Sequence, residues 1–241
     1  MNTTSDSPNT DEGPGPIDRK SALADALKRR IVSMELAPGA VVDEVALSAE
    51  FGLSRPPVRE LLRQMAAEGY IELEANRAAR VSSMSYQSLR NFFLAAPMIY
   101  IATSQLAANN ATAADIVRLR EIQKHFKAAI IKNDVENRVL YNDQFHLEIG
   151  NIARNEYLMP SLRRILIDHA RLGKTFYRFP TTDNMQHDLE SAVEQHEQII
   201  DAIERHDANA VATIVREHLD LSRRRMTEYA VPNGVDVPLA L

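Results

Sequence analysis

The segment from Phe51 to Met65, FGLSRPPVRELLRQM, constrains the fold more than any other part of this sequence. Ser54 stands where a helix N-cap belongs, and its hydroxyl is expected to accept from the first free backbone N–H groups. Pro57 falls in the first turn, where a missing N–H costs little. Apolar residues then recur every three or four positions and predict one buried stripe: Val58, Leu61, Leu62 and Met65.

A row of three arginines, Arg55, Arg59 and Arg63, lies on another face of the same helix, because the residues are spaced by four. A short helix with one buried stripe and one arginine row suits the major groove of DNA, where guanidinium groups pair with guanine O6/N7 or with phosphates. The alternative is an ordinary solvated helix face. The flanking sequence distinguishes the two.

Two helices are predicted before this segment and a hairpin after it. The stretch 21–36 has an apolar stripe and should form a helix ended by Pro38-Gly39, and Asp43 can cap a second helix that Gly52 ends. After the arginine row, residues 70–74 alternate between apolar and charged, and a return strand begins at Arg80. Three helices and a two-stranded ribbon make a winged helix-turn-helix.

The turn of this hairpin, Asn76-Arg77, is expected to contact the adjacent groove or the DNA backbone. The alternative is an exposed hairpin tip without function. Residues 17–84 hold ten basic and ten acidic side chains, within a chain of net charge −5. DNA affinity must therefore come from a local patch, which favours a specific, dimeric reader over a general nucleic-acid coat.

The chain ends and the composition limit the class of protein. Residues 1–16 are polar, contain no Lys or Arg and are predicted to be disordered, which also argues against a signal peptide. No apolar run approaches the ~18–20 residues of a membrane span. The chain has no cysteine, so a cytoplasmic protein is expected.

Helical periodicity dominates from Ser85 onward, and strand signals are missing. The pattern predicts an all-helical antiparallel bundle over 85–230, with a kink or break at Pro97 and a loose tail at 231–241. The predicted helices cover about 85–108, 112–132, 134–153, 155–176, 183–206 and 208–228, with a loop at 179–183.

Three of the seven histidines lie among apolar residues in predicted helices, namely His146, His196 and His218. Asn142 and Asp143 precede His146 by four and three residues, so either side chain could share its helix face. Three imidazoles and one oxygen ligand from a helical bundle would suit a divalent metal such as zinc or nickel. By spacing alone, ordinary core or surface histidines are the commoner explanation. The other four, His125, His169, His187 and His206, are expected at the surface or in outer contacts.

The N-terminal segments LAPG, FGLSRPPVRELLRQMAAEGYIE and NRAARV resemble the DNA-binding domain of the GntR family of bacterial transcription regulators. The resemblance covers roughly residues 17–84. It implies DNA contacts along the recognition helix and the wing, made by Ser54, Arg55, Pro57, Arg59, Arg63, Asn76 and Arg77. Relatives usually carry glycine after the wing arginine, whereas this chain has Ala78, which would be strained at a positive φ.

The segments NDQFH, GNIARNEYL, EQHEQIIDAI and VREHL resemble the effector-binding domain of the FadR branch of that family. That resemblance implies a metal held by one Asp and three His, although Asn142 stands where the carboxylate is usual and Asp143 is the alternative. The family's effector-pairing arginine is also replaced, near Ala96-Pro97. A less anionic effector is therefore expected unless another arginine reaches the cavity, and the candidate contacts are Arg154, Asn155 and Arg171.

The expected protein is a homodimeric transcription regulator that binds double-stranded DNA at a palindromic operator. Repression is the commoner role in the family that it resembles and is expected here. A small molecule, with a carboxylate as one candidate, would shift the spacing of the two winged domains. One alternative is a metal-dependent hydrolase with Asp143 or Glu148 as general base. Another is an architectural DNA-binding protein without a ligand, which predicts a solid bundle core.

Overall fold

The computed structural model describes residues 16–176 and 183–230, and within them the chain forms nine helices and one hairpin. The elements are α1 (Pro16–Val32), α2 (Glu44–Phe51), α3 (Arg55–Glu68), β1 (Ile71–Glu72), β2 (Arg80–Val81), α4 (Tyr86–Asn110), α5 (Ala113–Ile131), α6 (Val135–Ala153), α7 (Leu158–Phe176), α8 (Asp183–Glu204) and α9 (Ala208–Ala230). This order confirms the predicted fold class. The tails at 1–15 and 231–241 and most of the predicted loop at 179–183 lie outside the described residues.

The first three helices and the hairpin share one hydrophobic core. It contains the predicted stripe of α3 and residues from the other elements: Leu23, Leu27, Ile31, Leu47, Val58, Leu61, Leu62, Met65, Ile71 and Val81. Because these apolar residues turn inward, the arginine row of α3 is left on the solvent side. The periodicity therefore predicted both faces of the recognition helix correctly.

Two details at the helix ends differ from the sequence prediction. Helix α1 ends at Val32 rather than Leu36, and Met34 adopts a positive φ of 62° just after it. Ser54 occupies the N-cap position of α3, but its side chain makes no cap hydrogen bond. An N-cap oxygen accepts from the second or third helical residue, and these are Pro56 and Pro57, which have no N–H to donate.

The wing is a short antiparallel hairpin in which Ile71 pairs with Val81 and Glu72 with Arg80. Its strands are shorter than the sequence predicted. The positive φ of the tip falls on Asn76, at 61°, and not on Ala78. Asparagine tolerates the left-handed region well, so the strain expected at Ala78 does not arise.

Helices α4 to α9 form the predicted bundle around a second hydrophobic core. Helix α4 is continuous through Pro97, so the predicted break does not occur. By length and composition alone, α4 is the one described helix that could cross a membrane. In the structure α4 is a bundle helix that packs against α6, α7, α8 and α9.

Helix α7 joins the bundle to the winged part. The guanidinium of Arg171 is fully buried and donates to Ser82, directly after β2, at 2.7 Å to the carbonyl and 3.0 Å to Oγ. Asp168 accepts from Arg171 at 3.0 Å and from Arg164 at 2.8 Å. Arg164 in turn lies against Gly69, the C-cap of α3. One helix thus contacts both the recognition helix and the wing.

Candidate DNA-binding surface and metal centre

The candidate DNA-binding surface is the solvent face of α3. The side chains of Arg55 and Arg59 are 56% and 51% exposed, and Arg63 is exposed one turn further on. Ser54 is exposed at the start of the helix, whereas Pro57 is half-buried. The predicted arginine row is therefore presented to solvent as a continuous line.

The wing contributes to the same surface. A groove of about 400 Å³ separates α3 from the wing, and Arg59, Arg63 and Arg77 line it. At the tip Asn76 is exposed, and Arg77 pairs with Glu74. The structure therefore brings the helix and wing candidates to opposite sides of one groove, as expected when a helix enters one DNA groove and a wing reaches across the backbone.

The three predicted metal-binding histidines come together from three helices. His146 lies on α6, His196 on α8 and His218 on α9, and their exposed fractions are 4%, 0% and 3%. One nitrogen of each ring lies within 4.8 Å of the other two. In the described part of the chain, these three histidines form the only cluster of this kind.

Hydrogen bonds at the outer nitrogens set the tautomer of two rings. Gln123 donates through Nε2 to the carbonyl of Val193 at 3.0 Å, so its Oε1 is the acceptor for His196 Nδ1, also at 3.0 Å. Gln195 Oε1 lies 3.0 Å from His218 Nδ1. With Nδ1 protonated in both rings, each Nε2 carries a lone pair directed into the cluster.

The inner nitrogens have too few partners in this arrangement. His196 Nε2 and His218 Nε2 lie 3.3 Å apart, and His146 Nε2 is buried without a hydrogen-bond partner. Two lone pairs that face each other repel, and a buried orphan nitrogen costs about 1–3 kcal/mol. A divalent cation bound by all three nitrogens would remove both penalties, so the residues fit a metal.

Burial keeps these imidazoles neutral. It lowers the pKa of His218 to about 3 and that of His169 to about 4, and it takes those of His146 and His196 well below the usual range. Neutral imidazole is the form that binds a metal, so the cluster is ready for one at neutral pH.

His169 was expected at the surface or in an outer contact, and the structure places it in a buried outer contact beside the cluster. It is 7% exposed, its Nδ1 lies 2.7 Å from the hydroxyl of Tyr100, and its ring centroid is 5.5 Å from that of His146. The apolar spacing of α7 carried the signal, because His169 follows Leu162 and Leu166 on one helical stripe.

The two candidate oxygen ligands are Asn142 and Asp143. Asn142 is half-buried one turn before His146. Asp143 does not belong to the close cluster. Burial raises the pKa of Asp143 to about 7, and its charge contributes to raising the pKa of Tyr70 and of Tyr100. The Asp143 side chain therefore lies on the side of α6 that faces α4 and the winged part.

The three candidate effector contacts have other partners. Arg154 caps the C-terminus of α6, is 56% exposed and pairs with Asp115. Asn155 accepts from the backbone N–H groups of residues 157 and 158, at the start of α7. Arg171 binds Ser82. Each of these contacts explains its residue structurally, and none brings it to the histidine cluster.

The fold and the arginine surface define a winged helix-turn-helix DNA-binding protein with a helical domain behind it. The family model of bacterial regulatory proteins of the gntR family matches residues 19–81, and the FCD domain model matches residues 99–221. The chain therefore belongs to the gntR family, in the group whose second domain is an FCD domain. Its function is that of a sequence-specific DNA-binding transcriptional regulator, and the hydrolase alternative has no support.

Similar proteins carry the same description. The HTH-type transcriptional repressor RspR of Escherichia coli (strain K12) is 26% identical over 193 residues, which cover 80% of this chain and 82% of RspR. The HTH-type transcriptional regulator LutR of Bacillus subtilis (strain 168) is 27% identical over 188 residues, or 70% of this chain and 83% of LutR. The structure of E. coli McbR/YncC superposes with a TM-score of 0.74 at 18% identity, covering 87% of this chain and 97% of that one, which shows a shared fold.

Proposed function

We propose that this regulator binds a divalent metal through His146, His196 and His218, and that a small molecule bound beside this metal controls DNA binding. The observation that carries the proposal is the arrangement of three buried Nε2 atoms, two of them with tautomers set by glutamines. Three imidazoles suit zinc or nickel. Asn142, one helical turn before His146, would add an oxygen.

The bound metal would supply a Lewis acid that holds an oxygen atom of the effector. Three imidazoles and the Asn142 oxygen would fill four positions, so the effector oxygen would take a fifth or replace Asn142. A small carboxylate is the class of effector that such a position favours. Tyr100 and His169, both buried and hydrogen-bonded to each other, supply further polar groups on one side of the cluster.

Helix α7 connects this site to the winged part, which carries the DNA-facing arginines. His169 faces Tyr100 and His146, while Arg171, two residues later, binds Ser82 after the wing strand. A ligand that moves α7 at His169 would therefore also move the contact at Ser82. Such a ligand changes DNA binding only through its different affinity for the two arrangements.

The regulator would act as a homodimer on a palindromic operator, with repression as its effect. Leu94 and Met98, one turn apart on α4, are 41% and 61% exposed and give the bundle an apolar face for a second copy. Two copies related by a two-fold axis would place two recognition helices on two half-sites.

The test is elemental analysis of protein purified without chelator or affinity metal. The wild type should carry about one zinc or nickel per chain. His218→Ala should lose it, and His125→Ala, which changes an exposed histidine, should retain it. Wild-type protein without metal would contradict the metal proposal. A thermal-shift screen of small carboxylates on both variants then tests the effector, because a true effector stabilises only the metal-loaded protein and changes its DNA affinity.

A further inference from the structure

The carboxylate of Glu44 is shared by two arginines of the recognition helix. Its Oε1 accepts from Arg55 Nε at 2.6 Å, and its Oε2 accepts from Arg59 Nε at 2.9 Å. These hydrogen bonds hold the pKa of Glu44 below its usual range, so the group is ionised at neutral pH. One carboxylate thus uses both oxygens to hold two side chains that lie one turn apart on α3.

The backbone beneath Glu44 is fixed. Glu44 is the first residue of α2, and Asp43 caps this helix by accepting from the N–H of Val45 at 2.8 Å and of Ala46 at 3.1 Å. The Glu44 side chain is 21% exposed, against 56% and 51% for Arg55 and Arg59. The carboxylate therefore lies below the arginines, on the protein side of the DNA-facing surface.

Glu44 contacts both arginines through the same atom, Nε. A guanidinium has five N–H donors, and both contacts use Nε. The two terminal nitrogens of each arginine remain available as a fork, and this fork matches guanine O6/N7 end-on. Holding Nε fixes where each fork points and lowers the entropy lost when a base is bound.

The third arginine of the row provides a comparison within the same helix. Arg63 is exposed and forms no ion pair with any residue of the described chain. An arginine without such a contact can follow a phosphate on any DNA sequence, whereas a held arginine accepts only a base edge at the right place. The row therefore contains two kinds of arginine.

We propose that Glu44 is a positioning residue for sequence recognition, which aims the terminal nitrogens of Arg55 and Arg59 at guanine edges and penalises DNA that lacks them. Its negative charge lies beside Arg55 and Arg59, so it weakens the attraction of these arginines for phosphates of any DNA sequence. Specificity then comes from two effects of one side chain.

The experiment selects binding sites from a DNA duplex library with randomised base pairs, using the full-length chain. Wild type should enrich a motif with defined guanines. Glu44→Gln should lose preference at those guanines and bind scrambled duplex more tightly, so that the ratio of specific to scrambled affinity falls by about tenfold or more. Fluorescence anisotropy on one enriched and one scrambled duplex at fixed salt measures that ratio.

Two further variants separate geometry from charge. Glu60→Gln removes the same charge from α3 itself, where Glu60 pairs with Lys20 and holds no recognition arginine, and it should return the wild-type motif. Glu44→Asp keeps the charge but is one methylene shorter, so it should lose preference at one guanine position at least. If Glu44→Asp selects the wild-type motif, the proposal is overturned, whatever motif Glu44→Gln selects. If Glu44→Gln fails to fold, Glu44→Asp alone still decides the matter.

Discussion

His196 and His218 face each other through their Nε2 atoms across 3.3 Å in the interior of the bundle. Gln123 accepts from Nδ1 of His196, and Gln195 accepts from Nδ1 of His218. These hydrogen bonds hold both rings in this orientation. The pair is therefore a point where protons and metal ions compete for the same lone pairs.

The stability of the metal-free protein should depend on pH because of this cluster. Burial lowers the pKa of His169 to about 4 and of His218 to about 3, from 6.5, and it takes the pKa values of His146 and His196 well below the usual range. Between about pH 4 and 6.5 the unfolded chain therefore binds more protons than the folded one, and stability rises with pH. Each such proton changes the free energy of unfolding by roughly 1.4 kcal/mol per pH unit.

Asp143 acts in the opposite direction over the same range. Burial raises its pKa to about 7, so the folded chain keeps a proton that the unfolded chain loses. Four imidazoles outweigh one carboxyl, and the net result is lower stability in acid. Urea unfolding of chelator-treated protein at about pH 5 and about pH 7 measures this difference. Equal midpoints would contradict the prediction, and His125→Gln, at an exposed position, should leave the difference unchanged.

Replacing Gln195 by leucine should weaken metal binding without unfolding the bundle. Gln195 fixes His218 through Nδ1, and removing such an outer contact typically lowers metal affinity by about 10- to 100-fold. Competition with a chromophoric zinc chelator measures the affinity. Gln198→Leu is the matched control, because Gln198 lies on the exposed face of the same helix and bonds only to Glu194 among the described contacts. Equal affinity in both variants would show that Gln195 does not orient the ring.

Arg171→Ala should uncouple the two parts of the chain. The change leaves the buried carbonyl of Ser82 without its donor, which costs about 1–3 kcal/mol. It also removes the ion pair with Asp168. The winged part and the bundle should then unfold in separate transitions, followed by circular dichroism during urea titration. Arg120→Ala removes an exposed arginine that pairs with Asp201 and Glu204, so its effect should stay below about 1 kcal/mol. A single, unshifted transition in Arg171→Ala would contradict the coupling.

Gly69→Ala should destabilise the protein more than Gly39→Ala. Both glycines have a positive φ, 91° and 76°, so alanine carries a backbone cost at either position of about 1 kcal/mol. A Cβ on Gly39 would meet open space, whereas one on Gly69 would lie 2.1 Å from Arg164 Cδ. Thermal unfolding of the two variants compares these costs. Adding Arg164→Ala to Gly69→Ala should recover the difference, and no recovery would mean that the contact is not the cause.

Much of the architecture could be read from the sequence because local patterns determine it. The stripe of Val58, Leu61 and Met65 fixed which face of α3 is buried, and the bundle helices began close to their predicted caps at Thr112 and Asp134. The histidine triad could be predicted only together with the family resemblance, because each residue lies on a different helix and no local spacing links them.

Other contacts could not be predicted, because no local pattern reveals them. The sequence made Arg171 a candidate effector contact and gave no sign that its guanidinium reaches Ser82, 89 positions away along the chain. It left Glu44 without a role, since the link from Glu44 to Arg55 and Arg59 depends on how α2 packs against α3. The cap at Ser54 failed for a local reason that was available, namely the two prolines that follow it.

The contacts of α7 with Gly69 and Ser82 limit how this chain could be recombined with its relatives. A chimera that joins this winged part to another regulator's helical domain would present Gly69 to a foreign side chain and remove the donor for Ser82. A working exchange must carry α7 together with the winged part, even though α7 follows three other bundle helices in the chain. The structural support of the winged part is therefore discontinuous in the sequence.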